Sequence, residues 1–94
     1  MNTTANVRTE VEVLENMSRV VRMLMAYAGI SQKELGEALG MDSATMSRSL
    51  DGQRRWTVAD VERLSAIFGR PQGYFFEPAG DLLRNRWFPL LDAA

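Results

Sequence analysis

The sequence contains neither cysteine nor histidine. The first absence excludes a disulfide framework, a thiolate metal site and a thiol nucleophile, and it suits a reducing cytosol. The second removes the commonest metal ligand and the commonest general base near neutral pH. Carboxylate chemistry stays open in principle, but no two acids share an apolar, glycine-framed setting. No apolar run approaches the ~20 residues needed to cross a bilayer. The opening MNTTANVRTE lacks the basic start and apolar stretch of a secretory signal. These absences predict a cytoplasmic protein that is not an enzyme, carries no metal or cofactor and binds no membrane.

What is present fits one small domain of 94 residues, 46% of them hydrophobic. A domain of this size is only marginally stable alone, so self-association is expected. The net charge is −1, whereas nucleic-acid binders are usually basic. The distribution softens that objection. Residues 1–15 hold Arg8 against Glu10, Glu12 and Glu15, but residues 16–33 hold Arg19, Arg22 and Lys33 with no acid. Basic groups recur at Arg48, Arg54 and Arg55.

Helical periodicity dominates residues 9–76. Residues 1–8 are polar and read as a flexible arm. Thr9 and Glu12 fit a capping box. Behind them Val13, Met17, Val20, Leu24 and Ala28 form an apolar stripe, widened by Leu14, Val21 and Met25, and Gly29 ends the helix. Ser31 and Glu34 open a second helix with Leu35, Ala38 and Leu39 inward, and Gly40 ends it. Asp42 or Ser43 caps a third, with Met46 and Leu50 inward and Gly52 closing it. Thr57, with Asp60, caps a fourth whose stripe is Val58, Val61, Leu64, Ile67 and Phe68, ending at Gly69. Pro71 suits the first turn of a short fifth helix bearing Tyr74, Phe75 and Phe76. Pro78 and Gly80 punctuate the chain again. The tail reads as a short helix near 81–88 disturbed by Pro89, or as an extended segment. The fold class is all-α.

The stretch SQKELGEALGMDSATMSRSLDG, residues 31–52, places two short helices back to back. Helices that meet steeply need a small residue at the contact, a glycine in the turn and apolar support beneath. Gly36, Gly40 and the set Leu35, Leu39, Met41, Met46 and Leu50 meet those needs, which is the helix-turn-helix arrangement. Such a unit holds its second helix proud of the surface, where it can enter the DNA major groove.

Through Ile30, Gln32, Leu35, Gly36, Leu39, Gly40, Met41, Met46, Ser47 and Gly52, the segment resembles the DNA-binding domain of the Cro/cI-like, or XRE, family of phage and bacterial repressors. The resemblance covers roughly residues 17–76 and implies a five-helix, lambda-repressor-like domain. Two features depart from the pattern. Many members pair an arginine at the position of Met25 with an acid at that of Leu50; both are apolar here, an exchange that is often neutral or stabilising. The first helix is also longer than usual by roughly two turns.

The resemblance implies a phosphate contact at Gln32, beside the positive end of a helix, and Lys33 and Arg22 are weaker candidates. It implies phosphate contacts from the loop residues Gln53, Arg54 and Arg55 as well. Base edges fall to the outer face of the third helix, residues 43–51. Ser43 and Thr45 can donate or accept, Ala44 and the Thr45 methyl can touch thymine methyls, and Arg48 can reach guanine or a phosphate. One of Thr45 and Ser47 is expected to face the protein. A solvated polar surface that reads nothing is the bland alternative for all of these. Trp56 reads as core rather than as a DNA flank, and the methionines at 17, 23, 25, 41 and 46 as core filler. In residues 77–94, Trp87, Phe88, Leu90 and Leu91 either pack on their own subunit or form a dimer interface.

The expectation is therefore a homodimeric transcriptional regulator, a phage or bacterial repressor that binds an inverted-repeat operator in double-stranded DNA. The competing class is an antitoxin, with the same fold and a tail that grips a toxin protein.

Overall fold

A computed structural model describes residues 9–84, and these are all helix and connection, without a strand. The elements are α1 Glu10–Ala28, α2 Gln32–Leu39, α3 Ser43–Leu50, α4 Val58–Phe68, a 3-10 turn Gln72–Phe76 and α5 Ala79–Arg84. Local chemistry explains the boundaries. Thr9 with Glu12, Ser31 with Glu34 and Thr57 with Asp60 each form a reciprocal capping box. Asp42, not Ser43, caps α3, its carboxylate accepting from the Thr45 N–H at 2.7 Å. The αL stop at Gly40 (φ +72°) lets α2 turn sharply into α3.

The core is assembled from all these elements. Met17, Val20, Val21 and Leu24 of α1 meet Leu35 and Leu39 of α2, Met46 and Leu50 of α3, Val61 and Leu64 of α4, then Tyr74, Phe75 and Leu82. Trp56 is core, as expected, and its indole N–H donates to Ser18 Oγ at 3.1 Å. Met17 and Met46 are buried, while Met23, Met25 and Met41 pack at the core edge.

Several apolar assignments need correction. Ala38 is exposed, because α3 crosses α2 on the side of Gly36 and not on the opposite flank where Ala38 stands. Ala28 is exposed because the last turn of α1 runs past the core. Val58, the first residue of α4, lies beyond the core edge at 78% exposure, and Phe76 is also exposed. The expected fifth helix is a 3-10 turn with Pro71 before it. Pro78 and Gly80 do not break the chain there. The Pro78 carbonyl accepts the Asp81 and Leu82 N–H groups, and α5 starts at Ala79, two residues earlier than the tail reading placed it.

Asn16 pins this last element. Its side chain, buried on α1, donates to the Glu77 carbonyl at 2.7 Å and accepts the Ala79 N–H at 2.9 Å. The arm at 1–8 and the candidate interface residues Trp87, Phe88, Leu90 and Leu91 lie outside the described residues.

With Met25 and Leu50 apolar, a different ion pair ties α1 to α3. Arg22 Nη2 meets Asp51 Oδ1 at 2.9 Å, and Arg22 Nε donates to the Leu50 carbonyl at 3.3 Å. The pair is half-exposed, so its contribution is about 0–1 kcal/mol.

Candidate nucleic-acid interface

The close approach of α2 and α3 rests on Gly36. A Cβ there would lie 3.3 Å from the Met41 carbonyl oxygen and 3.5 Å from Met46 Cβ. The Gly36 carbonyl accepts the Met41 N–H at 2.8 Å, which closes the turn. Met46 and Leu50 anchor the inner face of α3 in the core. Its outer face then has to stand in solvent. Ser43, Ala44 and Arg48 are exposed there, while Thr45 and Ser47 are both half-buried. The reading in which one of those two faces the protein is thus divided between them. Arg48 Nη2 lies 3.4 Å from Thr45 Oγ1, a long contact that leaves the guanidinium free to reach outward.

Beside this face runs a groove of about 470 Å³, lined by Gln32, Lys33, Gly36, Glu37, Met41, Asp42, Ser43 and Met46. It brings the exposed start of α2, with Gln32 and Lys33, alongside the start of α3. Two acids at these helix starts already serve as caps. Hydrogen bonds from Ser31 hold the Glu34 carboxyl below its ordinary range, and those from Thr45 do the same for Asp42, with Arg48 adding a smaller charge effect.

The loop after α3 is less uniform than its sequence suggests. Gln53 is exposed, and its N–H donates to the Arg48 carbonyl at 2.8 Å. Arg55 is exposed and meets Glu10 at 2.6 Å. Arg54 turns inward, its Nη1 lying 2.9 Å from Asp60 Oδ2 and 3.1 Å from Ser49 Oγ. Neither Ser49 nor Ser18 stands out in the sequence, yet they tie the outward helix down. Ser18 Oγ donates to the Ser49 carbonyl at 2.7 Å. Both serines lie on helix faces where a hydroxyl is unremarkable until the facing helix is known.

A family model described as a helix-turn-helix domain matches residues 16–73, well over half of the chain. The chain belongs to this helix-turn-helix family, which is of the XRE/Cro-like type. No curated protein matches it significantly. The matched span contains α2, α3 and the loop to α4, so family and geometry meet on the same surface. The helix-turn-helix domain makes the protein a DNA-binding regulator in general class, and its family is typically non-enzymatic. Among the described residues, no helix is long and apolar enough to cross a membrane.

Proposed function

We propose that this helix-turn-helix protein is a sequence-specific transcriptional repressor of the phage or bacterial kind, acting in the cytoplasm as a homodimer on an inverted-repeat operator. The observation that carries the reading is the division of α3. Met46 and Leu50 are buried beneath it, while Ser43, Ala44 and Arg48 stand exposed on the opposite face next to the start of α2. In this reading α3 enters the major groove. Ser43, Ala44 and Arg48 meet base edges, with Thr45 and Ser47 at the margin. Gln32, Lys33, Gln53 and Arg55 meet the phosphates on either side. Repression is steric: the bound dimer excludes polymerase or a competing regulator. Two subunits would read half-sites about one helical turn apart, near 10 bp between centres, or a multiple of that.

Selection of bound sequences from random double-stranded DNA at near-physiological salt tests the reading. Enrichment of an inverted repeat with half-sites one turn apart supports a dimer that reads bases. Absence of any enriched sequence overturns it and leaves α3 a packed surface helix.

A further inference from the structure

We propose that Arg54 is a positioning residue for the recognition helix α3, held away from DNA by Asp60. The inference rests on the DNA-reading function above for its consequence, though not for its geometry. Asp60 is only 3% exposed, and its Oδ2 accepts from both Arg54 Nη1 at 2.9 Å and the Thr57 N–H at 2.9 Å. A buried carboxylate stripped of its cation is strongly destabilising, so Arg54 cannot swing out to a phosphate without leaving that charge unpaired.

The same nitrogen has a second N–H to give, and Ser49 Oγ lies 3.1 Å from it. Ser49 is fully buried, and its own hydroxyl proton is directed to the Thr45 carbonyl at 2.8 Å. Its lone pair therefore faces Arg54. A continuous chain runs from the first turn of α4 through Asp60, Arg54 and Ser49 to Thr45 in the first turn of α3. The backbone reinforces it, because the N–H groups of Gln53 and Arg54 both donate to the Arg48 carbonyl, at 2.8 and 3.2 Å. Arg54 thus sets where α3 stands and how the loop leaves it, while Arg55 next door faces solvent. Two adjacent arginines have opposite tasks.

The test compares wild type, Arg54→Gln and Asp60→Asn in the full chain, using the selected operator, random-sequence DNA and a series of salt concentrations. Amide exchange of Gln53 and Arg54 in the free protein is measured alongside. For a positioning residue, Arg54→Gln weakens operator binding about tenfold and leaves random-sequence binding and the salt slope unchanged. Asp60→Asn weakens operator binding as well, although it removes a negative charge, and both variants exchange the two amides at least tenfold faster. A salt slope lowered by about one unit in Arg54→Gln makes Arg54 a phosphate contact and overturns the proposal. Tighter binding by Asp60→Asn, which would release Arg54 to the DNA, overturns it too. If either variant fails to fold by circular dichroism, the double variant Arg54→Gln/Asp60→Asn, which leaves no buried charge unpaired, replaces it, and its salt slope decides. Wild-type protein that shows no operator preference overturns the DNA reading instead, and unchanged amide exchange in the variants then still overturns the positioning role of Arg54.

Discussion

Arg55 Nη2 lies 2.6 Å from Glu10 Oε2, joining the loop after α3 to the first turn of α1. Glu10 precedes the span that the family model matches, and Arg55 lies within it. The first turns of α1, which precede the matched span, therefore place an acid against the loop proposed to meet phosphate. Glu15 lies over the same loop, since a Cβ at Gly52 would sit 3.5 Å from Glu15 Cγ. Both partners of the ion pair are more than half exposed, so it adds little to stability. In the proposed complex, Glu10 would compete with phosphate for the Arg55 guanidinium.

Replacing Glu10 by Gln should accordingly tighten DNA binding by roughly two- to fivefold at low salt, the range set by an exposed ion pair. The gain should disappear in an Arg55→Ala background. Equilibrium binding of the four proteins in this cycle separates a specific contact from a general change in charge. An equal gain with and without Arg55 would show that Glu10 acts only through the overall field.

A second prediction concerns Ser18, which joins α1 to α3 and to the loop at once. Its hydroxyl serves the Ser49 carbonyl and the Trp56 indole N–H. Ser18→Ala leaves the Trp56 indole N–H unsatisfied, while the Ser49 carbonyl keeps its backbone bond from the Gly52 N–H at 3.3 Å. The expected loss is ~1–3 kcal/mol, an upper bound where water enters. Urea unfolding followed by circular dichroism reads it directly. A change under about 0.5 kcal/mol would mean that relaxation re-satisfies the indole.

The contrast between Ser18 and the helix caps shows which information the sequence carries openly. Thr9 with Glu12, Ser31 with Glu34 and Thr57 with Asp60 act across three residues, so their chemistry is visible in any short window. The periodic burial of Met46 and Leu50 is equally local, and it is what makes Ser43, Ala44 and Arg48 face outward. Ser18 with Ser49, Asn16 with Ala79 and Glu10 with Arg55 meet only after the helices have packed. No pattern in the chain announces those pairs. Arg54 shows the limit most clearly. Beside Arg55 it reads as half of a basic patch, and only the fold of the loop turns it towards Asp60. Val58 errs in the other direction, since it continues the stripe of Val61 and Leu64 but lies one turn beyond the core they enter.

Arg48 offers the most direct test of base reading. It is exposed in the last turn of α3, and its only described hydrogen bond to a side chain is the long contact with Thr45. If it reads guanine, Arg48→Ala should relax sequence preference at one position per half-site and weaken operator binding by ~1–3 kcal/mol. Binding to random DNA should change much less. Repeating the sequence selection with the variant gives the answer position by position. Uniform weakening on every sequence would instead assign Arg48 to a phosphate.

Asp42 links α3 to pH. Hydrogen bonds from the Thr45 backbone and side chain lower its pKa below the ordinary 3.8. In the unfolded chain the carboxyl takes up a proton first as pH falls, so the unfolded state binds more protons throughout that window. The stabilisation is complete above pH ~3.8 and is lost as pH drops through the folded value. Glu34 behaves alike from its ordinary 4.5 downward, because it is held by Ser31. Asp42→Asn keeps an acceptor that caps nearly as well, yet it cannot titrate. Its stability at pH 7 should stay near wild type, while the acid limb of the stability curve becomes shallower. Asp42→Ala should lose stability at pH 7 as well as the acid limb, since no acceptor remains for the Thr45 N–H. Urea midpoints from pH 7 to 2.5 for the three proteins measure both effects. An acid limb for Asp42→Asn that overlays wild type would show that the cap is not ionised-state specific, and the pH response would then fall to Glu34.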